Sequence, residues 1–331
     1  MDKPTLTDYV NVICTLFNEF VQVEPAYESK LYTYSQRMMI VFFVLMQYRR
    51  IHRFKTQRRW LEQHPEMVKV LRWSTIPHRI TLARRYRDLY ALLQAFIQYI
   101  GQDAARLDRR LRQSHLMEDK SLFKAQGSVW HQSDREAQRI PEKLRNLDTE
   151  ASWSKSGYHG WVYGYGLHLT CNHQAFPALV QVETASVAET TVIDQKAAIV
   201  LEILRPLTLS ADNSYAQASR LRRWPQRGIV LLSPAAKWQQ GRYAQAYHAY
   251  LRQPTNARCL QKRRTTIEPL FDLIAKVLGI TAHQKQLPIQ RLHNVRTCLA
   301  LATFSIQIAM IVNSMWRLPL RNISTMSAAF S

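Results

Sequence analysis

The chain reads as a mixed α/β protein led by an all-helical segment, and three observations predict it. Helical periodicity runs from about residue 8 to 102, with no glycine before Gly101. Past residue 115 short apolar runs alternate at the two-residue period of strands. Amphipathic helical stretches separate the later runs, so the order is three strands, helix, strand, helix, strand, helix.

In the leading segment, residues 32–48 form a strongly apolar helix, central to a small bundle. A basic block follows, with Arg49, Arg50, Arg53, Lys55, Arg58 and Arg59. Residues 57–70 read as one helix, residues 74–77 as a break, and a second helix starts at His78. That helix opens with Arg79, Thr81, Arg84, Arg85 and Arg87, while Leu82, Leu89, Leu92 and Leu93 face inward. Two helices about a turn, the second basic at its start, suit a helix-turn-helix laid in a major groove. A solvated arginine face is the competing reading.

Residues 104–113 are a charged connector, which places a helical DNA-binding domain at 1–105 and a second domain at 106–320, with 321–331 a flexible tail. In the second domain residues 116–123 are extended around Asp119, and residues 126–158 are polar and irregular. Strands follow at 161–170 and 178–183, then an amphipathic helix at 192–204. A strand from Leu207 runs toward Asp212, another covers 228–233, and a helix starting near Thr265 carries Glu268 in its first turn. This order is that of an RNase H-like mixed sheet with flanking helices, in which strands deliver acids to one edge.

Composition narrows the function. Forty-five Lys and Arg against 24 Asp and Glu give a net charge of +21. That excess predicts a polyanionic partner, and nucleic acid is the commonest. Four scattered cysteines make no CxxC pair, which argues against a zinc ribbon and fits a reducing compartment. No signal peptide is evident, and the apolar run at 298–312 is shorter than the ~18 to 20 residues of a bilayer span, so it predicts a buried helix. No glycine-rich phosphate loop occurs, so no nucleotide cofactor is expected. His159, His168 and His173 share no metal-ligand spacing, and Trp130, Trp153 and Trp161 read as core or surface aromatics.

The chemistry rests on acids. Asp119 would end the first strand, Asp212 the fourth, and Glu268 would sit on the helix after the fifth. Three such carboxylates repel unless divalent cations lie among them, and two ions ~3.5 to 4 Å apart suit phosphodiester displacement. Each acid also has a plainer reading, as a surface charge or, for Glu268, a helix-dipole partner. Glu118 is an alternative ligand beside Asp119. Arg263, Arg264 and Lys276 lie where they could grip phosphate oxygens next to the acids.

Four stretches carry a resemblance: SLFKAQGSVWH at 121–131, DTEASWSKSGYHGWVYGYGLHL at 148–169, ADNSY at 211–215 and RRTTIEPLFDLIAK at 263–276. Together they resemble the DDE transposases of bacterial insertion sequences. The resemblance implies that Asp119, Asp212 and Glu268 are catalytic, metal-binding acids, that Arg264 is the helix arginine and that Tyr215 is the tyrosine after the second acid. It implies two Mg²⁺ (or Mn²⁺) ions, hydrolysis at transposon ends and joining of the freed 3′-hydroxyl to target DNA. Double-stranded DNA would be the partner, at least two protomers would pair the ends, and the protein would be cytoplasmic and nucleoid-associated, with no membrane role. Gln261 stands where the family has a tyrosine, Ala275 where it has a lysine (Lys276 is one place late), and Gly166 where a lysine is common. The alternative is an impaired remnant that only binds DNA.

Overall fold

A computed structural model describes residues 3–142, 144–157, 160–234 and 242–330. The leading helices are α1 (Leu6–Val23), α2 (Gln36–Tyr48), α3 (Phe54–Gln63), α4 (Pro65–Val70) and α5 (Arg79–Leu107). Thr5 and Asp8 close a capping box on α1, each side chain meeting the other's backbone N–H. The single helix expected over 57–70 is two, because Pro65 has no N–H to continue the ladder and instead starts α4. Every residue from Met38 to Gln47 of α2 is buried, which explains its apolar sequence on all faces.

The second region contains β1 (His115–Lys124), α6 (Gln132–Glu136), β2 (Ser152–Ser156), β3 (Gly160–Asn172), β4 (Pro177–Thr184) and α7 (Glu189–Ala198). One π-helical stretch, Ile199–Leu204, extends α7. Then come β5 (Thr208–Ser210), α8 (Ala218–Gln226), β6 (Val230–Leu232), α9 (Arg242–Leu251), α10 (Pro254–Leu278), α11 (Leu292–Met315) and α12 (Ser324–Phe330). The order β2-β3-β1-β5-β6, with β4 also on β3, makes one mixed sheet. β3 is antiparallel to β1, β2 and β4, whereas β1, β5 and β6 run parallel. The fold is therefore RNase H-like and preceded by helices, as the element order predicts. β2 is an addition: its Ser-Trp-Ser-Lys-Ser sequence has too little apolar alternation to stand out from the polar region around it.

Two apolar layers sandwich the sheet. One face of β1, with Met117 and Phe123, packs into a large cluster shared with α1, α2, α5, α10 and α11. The other, with Leu116, meets residues of α7, α8 and β5. The leading helices thus share their core with the sheet. Gly101 allows this close fit, since a Cβ there would lie 2.9 Å from Ala178 Cα on β4.

The α11 helix is long and apolar enough to cross a membrane, yet 94% of its apolar window is buried inside the protein. Its buried polar donors are taken up there: Gln307 Nε2 donates to the carbonyls of Ile97 and Pro177, and Thr303 and Ser305 donate to carbonyls one turn back. The expected loose tail is instead α12. Met326 and Phe330 are fully buried, and the Phe330 ring meets Tyr9 edge-on at 5.6 Å.

Candidate active site

Strand alternation decides which acid faces where. On β1, Glu118 points to the α7 side and Asp119 to the α10 side. Glu118 is fully buried, accepts from Lys196 Nζ at 2.7 Å and from Thr170 Oγ1, and lies with its back to the other acids. Burial raises its pKa and lowers that of Lys196, each partly offset by the other's charge. Glu118 is therefore a core ion-pair residue and not a metal-ligand alternative. The pairing also accounts for a first strand with so few apolar residues before Asp119.

Asp119 and Asp212 meet through register. Parallel pairing sets Met117 beside Ser210, so two residues further on Asp119 comes beside Asp212, just past the end of β5. Carboxylate oxygens of Asp119, Glu189 and Asp212 lie within 4.8 Å of one another. Glu189 is the first residue of α7, and Ser214 ties it to Asp212: its Oγ donates to Glu189 and, at 2.6 Å, to Asp212 Oδ1. The Ser214 N–H also donates to Asp212 Oδ1 at 2.9 Å, which fixes that carboxylate as a cap on the short turn Asn213–Tyr215.

Glu268, on α10, lines the same cavity of about 700 Å³ as Asp119, Glu189 and Asp212. It lies outside the 4.8 Å cluster. The α10 helix starts at Pro254 and not near Thr265, so Glu268 sits in mid-helix, beyond reach of the N-terminal dipole. Its neighbour one turn on, Asp272, also lines the cavity.

The arginines differ from expectation. Arg263, mostly buried, donates from Nη1 to Asp119 Oδ2 at 2.6 Å. Arg264 and Lys276 are exposed on the flank that carries Glu268 and Asp272 at four-residue intervals, and neither lines the cavity. A lysine is nonetheless present: Lys285, from the loop after α10, reaches in with Nζ 2.9 Å from Ser121 Oγ. Burial lowers its pKa, while Asp272, Asp119 and Glu268 oppose that. At Gly166 a Cβ would lie 2.7 Å from Lys120 Cε, so the Lys120 stem occupies that space and its Nζ donates to the carbonyls of Ala185 and Val187. Tyr215 is fully buried among the residues between β5 and α8 and, though near enough to feel the charges of Glu189, Asp119 and Asp212, does not line the cavity.

Electrostatically the site is under-compensated. Burial lifts the Asp119 pKa to about 6, Arg263 pulls it down and Asp212 pushes it up. Glu189 is raised too, by burial and then by Asp212. Two acids whose ionised forms are disfavoured, beside a third, form an all-oxygen donor set that a hard divalent cation would neutralise; the residues fit Mg²⁺ or Mn²⁺. Sequence reading missed Glu189, Asp272 and Lys285. Nothing marks Glu189 or Lys285 in the sequence, whereas Asp272 follows Glu268 by one helical turn.

Of the basic helix start, Arg79, Arg84 and Arg87 are exposed and Thr81 is half-buried. Arg85 is taken up by the protein itself: it donates to Tyr34 O and Gln36 Oε1 and lies 4.0 Å over the Tyr32 ring. Trp161 is 66% exposed at the start of β3, and His168 is buried with both ring nitrogens unpartnered among the described residues. His159 lies outside the described residues.

A mixed sheet of this order, with carboxylates from mid-β1, just past β5 and the start of α7 gathered beside its central parallel strands, defines an RNase H-like domain with a candidate metal centre. Residues 113–302, more than half of the chain, match the family described as "Transposase DDE domain", and the chain belongs to that family. It is thus a transposase-type protein that acts on DNA. No curated protein and no solved structure matches it.

Proposed function

We propose that this protein cleaves DNA at the ends of a mobile element and joins the freed 3′-hydroxyl to target DNA, with Mg²⁺ or Mn²⁺ as cofactor. One observation carries the reading: three carboxylates, from β1, from the end of β5 and from the start of α7, come within 4.8 Å in a member of this family. Asp119, Asp212 and Glu189 are the ligands for a first ion, and Glu268 in the same cavity is the principal ligand for a second. Bound there, the ions supply Lewis acidity toward the attacking and leaving oxygens. Arg263 keeps Asp119 ionised and oriented. Lys285, with Ser121 as its support, is placed to hold a non-bridging phosphate oxygen, the role expected of Lys276 or Arg264 from the chain order. Pairing two element ends requires at least two protomers.

The test is a duplex that carries the DNA flanking this reading frame, incubated with purified protein and Mg²⁺ or Mn²⁺. Nicking at the element boundary is expected, and Asp212→Asn should abolish it while end binding persists. A mutant that nicks as well as the wild type would falsify the assignment. Binding without nicking under any metal would leave a DNA-binding protein only.

A further inference from the structure

A second cleft, of about 850 Å³, lies between the leading helices and the sheet region. Four exposed cations reach it from separate elements: Arg53 and Lys55 at the start of α3, Arg79 at the start of α5 and Arg291 just before α11. Among the described residues none of these side chains makes an ion pair or a hydrogen bond. Among the described residues no carboxylate lines the cleft, in contrast to the acid cavity, although Asp148 Oδ2 behind it accepts from the Arg291 backbone N–H at 3.0 Å. Four unpaired like charges on one concave surface repel one another, so their clustering costs stability unless an anion meets them.

The floor is rigid. Gln290 Nε2 donates to Gln126 O at 3.0 Å and to Asn146 O at 2.5 Å, and Asn294 Nδ2 donates to Gln290 O. The cleft also adjoins the acid cavity. The strand β1 carries Asp119 and Leu122 in the cavity wall, ends at Lys124, and the chain continues within two residues to Gln126 in the cleft floor. At the end of β1 the Lys124 N–H donates to Lys285 O and the Leu287 N–H donates to Lys124 O, so the loop from Lys285 to Gln290 forms the sill between the two. Four residues of extended chain span at most about 13 Å. Projected on the axis of a duplex that is roughly four base-pair steps.

We propose that this cleft binds the sugar-phosphate backbone of the DNA duplex whose reacting phosphate lies at the acids, with Arg53, Lys55, Arg79 and Arg291 each on a phosphate. This rests on the reading of the acid cavity as the cleavage site and adds where the substrate duplex runs. Cations brought in from three separate helices around one cleft of this size suit a polymer of charges better than a single small anion. The contacts are to backbone, so they position the duplex without reading its sequence.

The experiment measures affinity for a 40-base-pair duplex of mixed sequence, with metal chelated, as a function of salt. The variant Arg53→Ala/Lys55→Ala/Arg79→Ala/Arg291→Ala should lower the log-log salt slope by about 3 to 4, at roughly 0.9 per lost phosphate contact. The pair Lys55→Ala/Arg79→Ala should lower it by about 2, and serves if the quadruple variant fails to fold. A control that removes four exposed charges elsewhere, Lys30→Ala/Arg205→Ala/Arg223→Ala/Arg227→Ala, should leave the slope near wild type. An unchanged slope in the cleft variants, or an equal drop in the control, overturns the proposal. So does a drop seen with an RNA duplex but not with DNA. Because metal is absent, the outcome is separate from the nicking test: a reduced slope in a protein that never nicks retains the cleft and rejects the cleavage reading.

Discussion

Arg263 Nη1 sits 2.6 Å from Asp119 Oδ2, joining mid-α10 to the centre of β1 across 144 residues of chain. This contact holds an acid ionised in a site whose burial favours the neutral form. Removing the guanidinium leaves a buried carboxylate unpaired. Arg263→Ala should therefore cost about 2 to 4 kcal/mol, toward the lower part of the range for a broken buried pair because water still reaches the cavity. Added Mg²⁺ should restore part of the loss. Thermal unfolding with and without metal checks both; equal losses in the two conditions count against a cation at Asp119.

Glu118 and Lys196 form the other strand-borne pair, on the opposite face. Lys196→Met should destabilise by about 3 to 5 kcal/mol, and Glu118→Leu/Lys196→Met should recover most of it, since two apolar groups leave no charge stranded. Urea midpoints for the set decide this. A double variant as unstable as the single one contradicts the pairing.

Metal affinity should separate the acids. Glu189→Gln and Asp119→Asn should each weaken Mn²⁺ binding by roughly tenfold or more, which corresponds to about 1.4 kcal/mol for one lost ligand. Glu118→Gln should leave it within about twofold, because its carboxylate faces Lys196 and Thr170 instead. Isothermal titration of the four proteins tests the division, and a Glu189 variant with wild-type affinity removes that residue from the ligand set.

His168 predicts an acid sensitivity of the fold. Burial first, then Lys196 and Lys120, push its pKa from 6.5 down to about 2. Between those values the unfolded chain binds one more proton than the native state. Stability is thus complete above about pH 6.5 and falls as the pH drops below it. From pH 7.5 to 5.5 this group alone should cost about 1.4 kcal/mol. The corresponding fall in His168→Leu should be smaller by that amount in parallel urea titrations; identical pH slopes would show that the ring is protonated in the native state.

Much of this was legible along the chain. The helical lead, five of the six described strands and the placing of Asp119 and Asp212 in or just past a strand follow from two local signals, hydrophobic period and the sign of each residue. The net charge of +21 points to a polyanion without any fold. The motif resemblance reaches the family that the match over 113–302 assigns. Such features survive translation into sequence because each is set by a residue and its near neighbours.

Contacts between distant segments were not legible. That Glu189 joins the acids depends on where α7 begins relative to the sheet edge, and Ser214 makes the link. Whether Arg263 or Arg264 meets Asp119 turns on 100° of helical rotation, fixed by the packing of Ile267, Leu270 and Ile274 in the core. Lys285 enters the cavity only because its loop pairs with the end of β1. Sequence by itself determined the architecture and the acids on the strands, since period and polarity are local. The tertiary structure alone decided which cations and which third carboxylate meet them, since that depends on the angle and offset at which separately formed elements pack.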